Sequence, residues 1–125
     1  MTEVLQVRLS GLGGQGIILA GLLLGQAGVI EGKYIAGSDS YGAQARGSGC
    51  KSEIVFSDGP IDFPHLITSD LLVAMSQGAY LTYSKDVKEQ GIIFYDQGLV
   101  TPNQGLNVKQ RGVAATEISI KKLKN

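Results

Sequence analysis

Of the 125 residues only one is a cysteine, Cys50, and only one a histidine, His65. A disulfide needs a pair of cysteines, and an iron–sulfur cluster needs about four, so this chain supplies neither by itself. No carboxylate or cysteine stands at ligand spacing from His65, and no serine motif calls for it as a base. It reads as a capping or surface residue. Charge of one sign is also missing. Lysine plus arginine and aspartate plus glutamate number 11 each, so no net field argues for nucleic acid or an acidic membrane as partner. The start, Met1-Thr2-Glu3-Val4, lacks the basic-then-apolar order of a signal peptide. With the single cysteine, this suits a reducing cytoplasm. A membrane span is lacking too. Residues 11–30 carry no charge, and Gly21-x-x-x-Gly25 has the spacing of a membrane helix contact. The dense apolar part, residues 17–30, is still too short. A span requires about 20 residues. There are no internal repeats and no domain boundary, so residues 1–125 read as one domain.

Glycine is plentiful, at 18 residues, and its placement organises the chain. An alternating segment, Leu5, Val7 and Leu9 against Gln6, Arg8 and Ser10, leads into Gly11-Leu12-Gly13-Gly14-Gln15-Gly16. An uncharged apolar helix over 17–30 leads out. Strand, tight turn and helix in that order fit G-x-G-x-x-G at Gly11, Gly13 and Gly16. The free N–H groups and positive dipole end of such a helix favour an anion. Two readings follow. One is dinucleotide binding, which wants an acid about 20 residues on, at the end of the second strand. Glu31 comes too early, and Asp39, between Ser38 and Ser40, looks like loop. The other reading is close helix–strand packing. Gly21, Gly25, Gly28 and Gly32 form a stripe where another element can approach. A helix apolar all round needs cover all round, some of it from another chain.

A brief second strand is expected over 33–36, then a long loop over 38–49 with three glycines and no large aliphatic side chain. Arg46 lies in it between Ala45 and Gly47, free to reach an anion or a partner or to remain an ordinary solvated arginine. Residues 50–57 alternate as a strand with one wetter face, turned by Asp58-Gly59-Pro60. The run Leu71-Leu72-Val73-Ala74-Met75 reads as a central parallel strand. A helix is expected over 79–89, capped near Ser76 and closed by Gly91. A buried strand over 92–96 and an edge strand within 108–115 follow, then a helix start at Thr116. The order implies an α/β fold: an open, mostly parallel, Rossmann-like sheet with helices on both faces.

Four stretches together resemble one family. They are Gly11-Leu12-Gly13-Gly14-Gln15-Gly16 with Ala20, Ser40-Tyr41-Gly42-Ala43-Gln44-Ala45-Arg46-Gly47, Ile61-Asp62-Phe63-Pro64, and the segment from Asp70 to Gln77. In this order they are similar to the gamma subunit, or gamma domain, of 2-oxoacid:ferredoxin oxidoreductases, with the Tyr-Gly-x-x-x-Arg form nearest the 2-oxoglutarate type. Ser48 departs from the second glycine of the family pattern, and the chain stops before the family's further C-terminal helices, so a short variant or a fragment is expected. The resemblance implies oxidative decarboxylation of a 2-oxoacid with coenzyme A, giving acyl-CoA, carbon dioxide and reduced ferredoxin. It implies alpha and beta subunits, with or without a delta subunit, that carry thiamine diphosphate with magnesium and the iron–sulfur clusters. This chain alone then holds no cofactor, has no catalytic residue and is inactive. Gly11, Gly13, Gly14, Gln15, Gly16, Tyr41, Gly42, Arg46 and Gly47 are the implied cofactor-facing residues. An equivalent subunit of an indolepyruvate or 2-oxoisovalerate enzyme, and a stand-alone nucleotide-binding module, are the alternatives.

Overall fold

The structure, a computed structural model, describes residues 3–41, 49–62 and 66–115. Six strands form one sheet: β1 (Val4–Leu12), β2 (Tyr34–Tyr41), β3 (Gly49–Ser57), β4 (Ser69–Ala74), β5 (Val87–Asp96) and β6 (Lys109–Val113), in the spatial order β2-β3-β1-β4-β5-β6. The pairs β1–β4, β4–β5 and β5–β6 are parallel. Strand β3 runs against both neighbours, β1 and β2, so it alone breaks a common direction. The sheet is therefore mostly parallel, as the element order implied.

Helix α1 (Ile17–Ile30) lies on one face and α2 (Gln77–Tyr83) on the other. Under α1 sit Val7, Leu9, Cys50 and Ile54, which form one core with Ile17 of the helix. Glycine brings the helix down onto the sheet. A Cβ on Gly28 would stand 2.5 Å from Ile35 Cδ1 and 2.7 Å from Phe56 Cε1, and one on Gly21 would overlap the Ser52 hydroxyl. Gly32 does not continue that stripe. It has a φ of 85, in degrees, and is the left-handed residue that ends α1. Its N–H bonds to Val29 O at 3.0 Å, and Lys33 N–H bonds to Gly28 O at 3.0 Å. On the opposite face Leu72, Ala74, Tyr80, Val87, Ile93 and Val100 form the second core.

Three sequence-based expectations are corrected. The second strand reaches Tyr41, well past residue 36, because an edge strand is held by backbone pairing with β3 from Tyr34↔Ser57 to Tyr41↔Cys50. Its small side chains are no obstacle at an edge. The helix expected over 79–89 ends at Tyr83 and passes through a 3-10 turn, Ser84–Asp86, into β5. Val87 is drawn into the sheet opposite Ser69, and tertiary pairing overrides the local helical pattern. Gly91 accordingly lies within β5, where a Cβ would stand 2.6 Å from Asp70 O. The wetter face expected of β3 is part-exposed only at Lys51: Glu53, Val55 and Ser57 are buried.

Candidate functional site

The carboxyl ends of β1 and β4 lie side by side, and their connections leave on opposite faces, β1 into α1 and β4 into α2. In an open α/β sheet such a switch point is where a crevice opens. The glycine turn fills this end. Gly14 and Gly16 have φ values of 88 and 76, in degrees. Side chains strain to enter that region. Gln15 braces the turn: its Oε1 accepts from Leu12 N–H at 2.7 Å and its Nε2 donates to Met75 O at 2.9 Å. Gly11 makes room for that brace, since a Cβ there would stand 2.9 Å from Met75 Cβ. Gly13, Gly14 and Gly16 differ. A Cβ on any of them would meet nothing within 4 Å, so the outer surface of the turn is open to an approaching group.

A cleft of about 270 Å³ adjoins the turn on the α2 side, lined among others by Ser10, Leu12, Ser40, Lys51, Ser76 and Tyr83. Ser76 caps α2, its Oγ accepting from Ala79 N–H at 3.1 Å. Below the cleft lies a charged group that the alternating pattern of β1 did not reveal. Arg8 is 4% exposed and its Nε donates to Glu53 Oε2 at 2.6 Å. Lys51 Nζ stands 3.4 Å from the same carboxylate oxygen. The Tyr83 ring covers both cations, as the negative face of an aromatic ring favours. Its centroid is 4.8 Å from the Arg8 guanidinium carbon. Lys51 Nζ lies 5.5 Å from the same centroid. Arg8 and Glu53 are direct cross-strand partners, a register that only the folded sheet supplies.

The structure thus brings together Gly11, Gly13, Gly14, Gln15 and Gly16. The backbone of Tyr41 ends β2 on the same side of the sheet. Gly42, Arg46 and Gly47 lie outside the described residues, as does His65. Asp39 is in β2, where it accepts from Ser52 Oγ at 2.7 Å. It is two strands away from the glycine turn, because β3 stands between β1 and β2. The Cys50 thiol is buried, and that burial pushes its pKa up. Among the described residues no three histidine, cysteine, aspartate or glutamate side chains are grouped to hold a metal ion, and no helix is long and apolar enough to cross a membrane.

The model of the pyruvate ferredoxin/flavodoxin oxidoreductase family matches residues 6–125. The chain belongs to this family. Over 100 residues it is 50% identical to the 2-oxoglutarate synthase subunit KorC of Methanocaldococcus jannaschii, a match covering 79% of this chain and 54% of that protein. It is 34% identical over 114 residues to the ketoisovalerate oxidoreductase subunit VorA of Methanothermobacter marburgensis, covering 91% of this chain and 24% of the other. Among solved structures, the gamma subunit of the keto/oxoacid ferredoxin oxidoreductase from Geobacter sulfurreducens superposes with a TM-score of 0.76 at 39% identity, covering 88% of this chain and 60% of that one. The chain spans about half the length of the 2-oxoglutarate synthase subunit it matches. The glycine turn at the switch point thus belongs to a pyruvate ferredoxin/flavodoxin oxidoreductase domain.

Proposed function

We propose that this chain is the gamma subunit of a cytoplasmic 2-oxoacid:ferredoxin oxidoreductase acting on 2-oxoglutarate. The enzyme converts the 2-oxoacid and coenzyme A to acyl-CoA and carbon dioxide, and two electrons pass to ferredoxin. The observation that carries this reading is the 50% identity to the 2-oxoglutarate synthase subunit over 79% of the chain. The glycine turn contributes an open surface of backbone at the start of α1, suited to a diphosphate or carboxylate supplied at a subunit interface. By the resemblance Tyr41, Gly42, Arg46 and Gly47 are further cofactor-facing residues, of which Gly42, Arg46 and Gly47 lie outside the described residues. One cysteine and no metal-ligating group among the described residues do not fit an iron–sulfur cluster or a metal-bound thiamine diphosphate. By the resemblance, those groups belong to the alpha and beta subunits, with or without a delta subunit. The similarity to the ketoisovalerate subunit over 91% of the chain supports a second reading, in which the substrate is a branched 2-oxoacid.

Co-expression with and without the partner subunits tests the proposal. Coenzyme A-dependent ferredoxin reduction is expected only when this chain is present, with 2-oxoglutarate preferred over 2-oxoisovalerate. The chain alone should neither turn over a 2-oxoacid nor show the visible absorbance of a cluster. Full activity without the chain would overturn the reading, and a preference for the branched acid would select the second one.

A further inference from the structure

Strands β1 and β4 pair in parallel up to Ser10↔Ala74, and Met75 N–H then donates to Ser10 O at 2.8 Å. In a parallel ladder the donor strand alternates, so the next bond would run from Leu12 N–H to Met75 O. The side-chain amide of Gln15 stands in its place. Leu12 N–H donates to Gln15 Oε1 at 2.7 Å, and Gln15 Nε2 donates to Met75 O at 2.9 Å. One backbone bond of about 2.9 Å is thus replaced by two bonds with an amide between them. The strands part at the point where the switch-point crevice opens. The two partners also select the residue type: one is a donor, the other an acceptor, and an amide complements both in a single group. Gly11 admits that amide, since a Cβ there would overlap Gln15 Oε1.

We propose that Gln15 is a positioning residue, its amide a wedge that holds the ends of β1 and β4 apart and sets the width of the crevice. The resemblance makes Gln15 cofactor-facing, but both polar atoms of its side chain meet backbone, so it acts through the turn it holds. Without the amide, Leu12 N–H and Met75 O are free to meet. A direct bond is favoured over two unpaired groups, so the ladder closes by one rung. Leu12 then carries the open glycines Gly13 and Gly14 toward β4, and the crevice narrows. The wedge itself does not depend on the enzyme assignment. Its effect on affinity rests on the oxidoreductase reading, in which the turn receives an anionic group.

Two substitutions separate a wedge from a simple loss of stability. Gln15→Ala removes the spacer, and the rung should close. Gln15→Met keeps the length but neither donates nor accepts, so the strands stay apart with both groups unpaired. Scalar couplings across hydrogen bonds, read by NMR on the isotope-labelled full chain, tell these states apart. The Leu12 amide nitrogen should couple to the Gln15 side-chain carbonyl carbon in the wild type, to the Met75 carbonyl carbon in Gln15→Ala, and to neither in Gln15→Met. In the co-expressed enzyme, Gln15→Ala should raise KM for coenzyme A about tenfold with a smaller change in kcat. Gln15→Met should recover most of that loss although it is no more stable. A direct Leu12–Met75 coupling in the wild type, or a folded Gln15→Ala whose Leu12 amide stays uncoupled, would overturn the wedge. Equal rises in KM for both variants would overturn the positioning role. An assembled enzyme that uses no 2-oxoacid would overturn the oxidoreductase reading instead, and the couplings, measured on this chain alone, would still decide the wedge.

Discussion

Arg8 occupies a β1 position where the alternating pattern suggests water, yet its guanidinium is buried against Glu53. Among the described residues its Nη1 finds no acceptor, and Nη2 lies 3.5 Å from Leu66 O. Such a pair is weak evidence for net stability, but removing one member leaves the other charge stranded. Glu53→Ala should cost about 3–5 kcal/mol by denaturant unfolding, and Arg8→Met with Glu53→Leu should recover most of it. Equal losses in the single and double variants would show that the ion pair, and not the stranded charge, is what stabilises. Cys50 gives a second residue-scale expectation. Burial raises its pKa in the folded chain, so folding favours the protonated thiol. That contribution is intact below the pKa of the unfolded thiol and is lost as pH rises through the folded value. The stability difference between wild type and Cys50→Ala should therefore shift against the wild type on the alkaline side. Native Cys50 should also react with iodoacetamide only as fast as the strand opens. Rapid alkylation of the folded protein would contradict the burial of this side chain.

Among the elements, α1 was legible to the residue. A continuous apolar run bounded by a glycine turn and Glu31-Gly32 leaves little room for another reading. Within it the glycines separate by neighbour. A Cβ at Gly25 would sit 3.7 Å from Ile35 Cγ2, an ordinary contact. Gly25→Ala should therefore stabilise by about 0.5–1 kcal/mol through helix propensity. At Gly28 the same methyl meets Ile35 and Phe56 well inside contact distance. Gly28→Ala should cost about 1–3 kcal/mol despite the propensity gain. Thermal melts that rank the two variants the other way would mean α1 packs differently. The shorter elements were legible only in part. Ser76 signalled the start of α2, but its end depends on β5 pairing with β4, which no local pattern records. Strand β2 was read too short for the same reason: Gly37, Ser38 and Ser40 have poor strand propensity and stay extended because β3 lies alongside. In the site, the turn residues could be read from spacing, whereas Lys51, Tyr83 and the Arg8–Glu53 pair come together only through sheet register.

At the scale of the whole molecule, one strand decides between two meanings of the glycine turn. A dinucleotide site needs the turn after β1 and an acid at the end of the adjacent parallel strand, so that diphosphate and ribose are held together. The order of elements along the chain is compatible with that, and the sequence left Asp39 as the candidate. The sheet order is not compatible: β3 is inserted antiparallel between β1 and β2, and Asp39 is carried to the far edge, where it holds Ser52. The turn keeps its open backbone surface and loses the ribose partner. Isothermal titration of NAD into the chain should then give no saturable heat up to millimolar concentration. Asp39→Ala should change nothing in that titration, although it should cost about 1 kcal/mol of stability through the lost bond to Ser52. Micromolar NAD binding abolished by Asp39→Ala would mean that acid and turn act together after all. The free-standing nucleotide-binding module would then replace the oxidoreductase subunit as the reading of this fold.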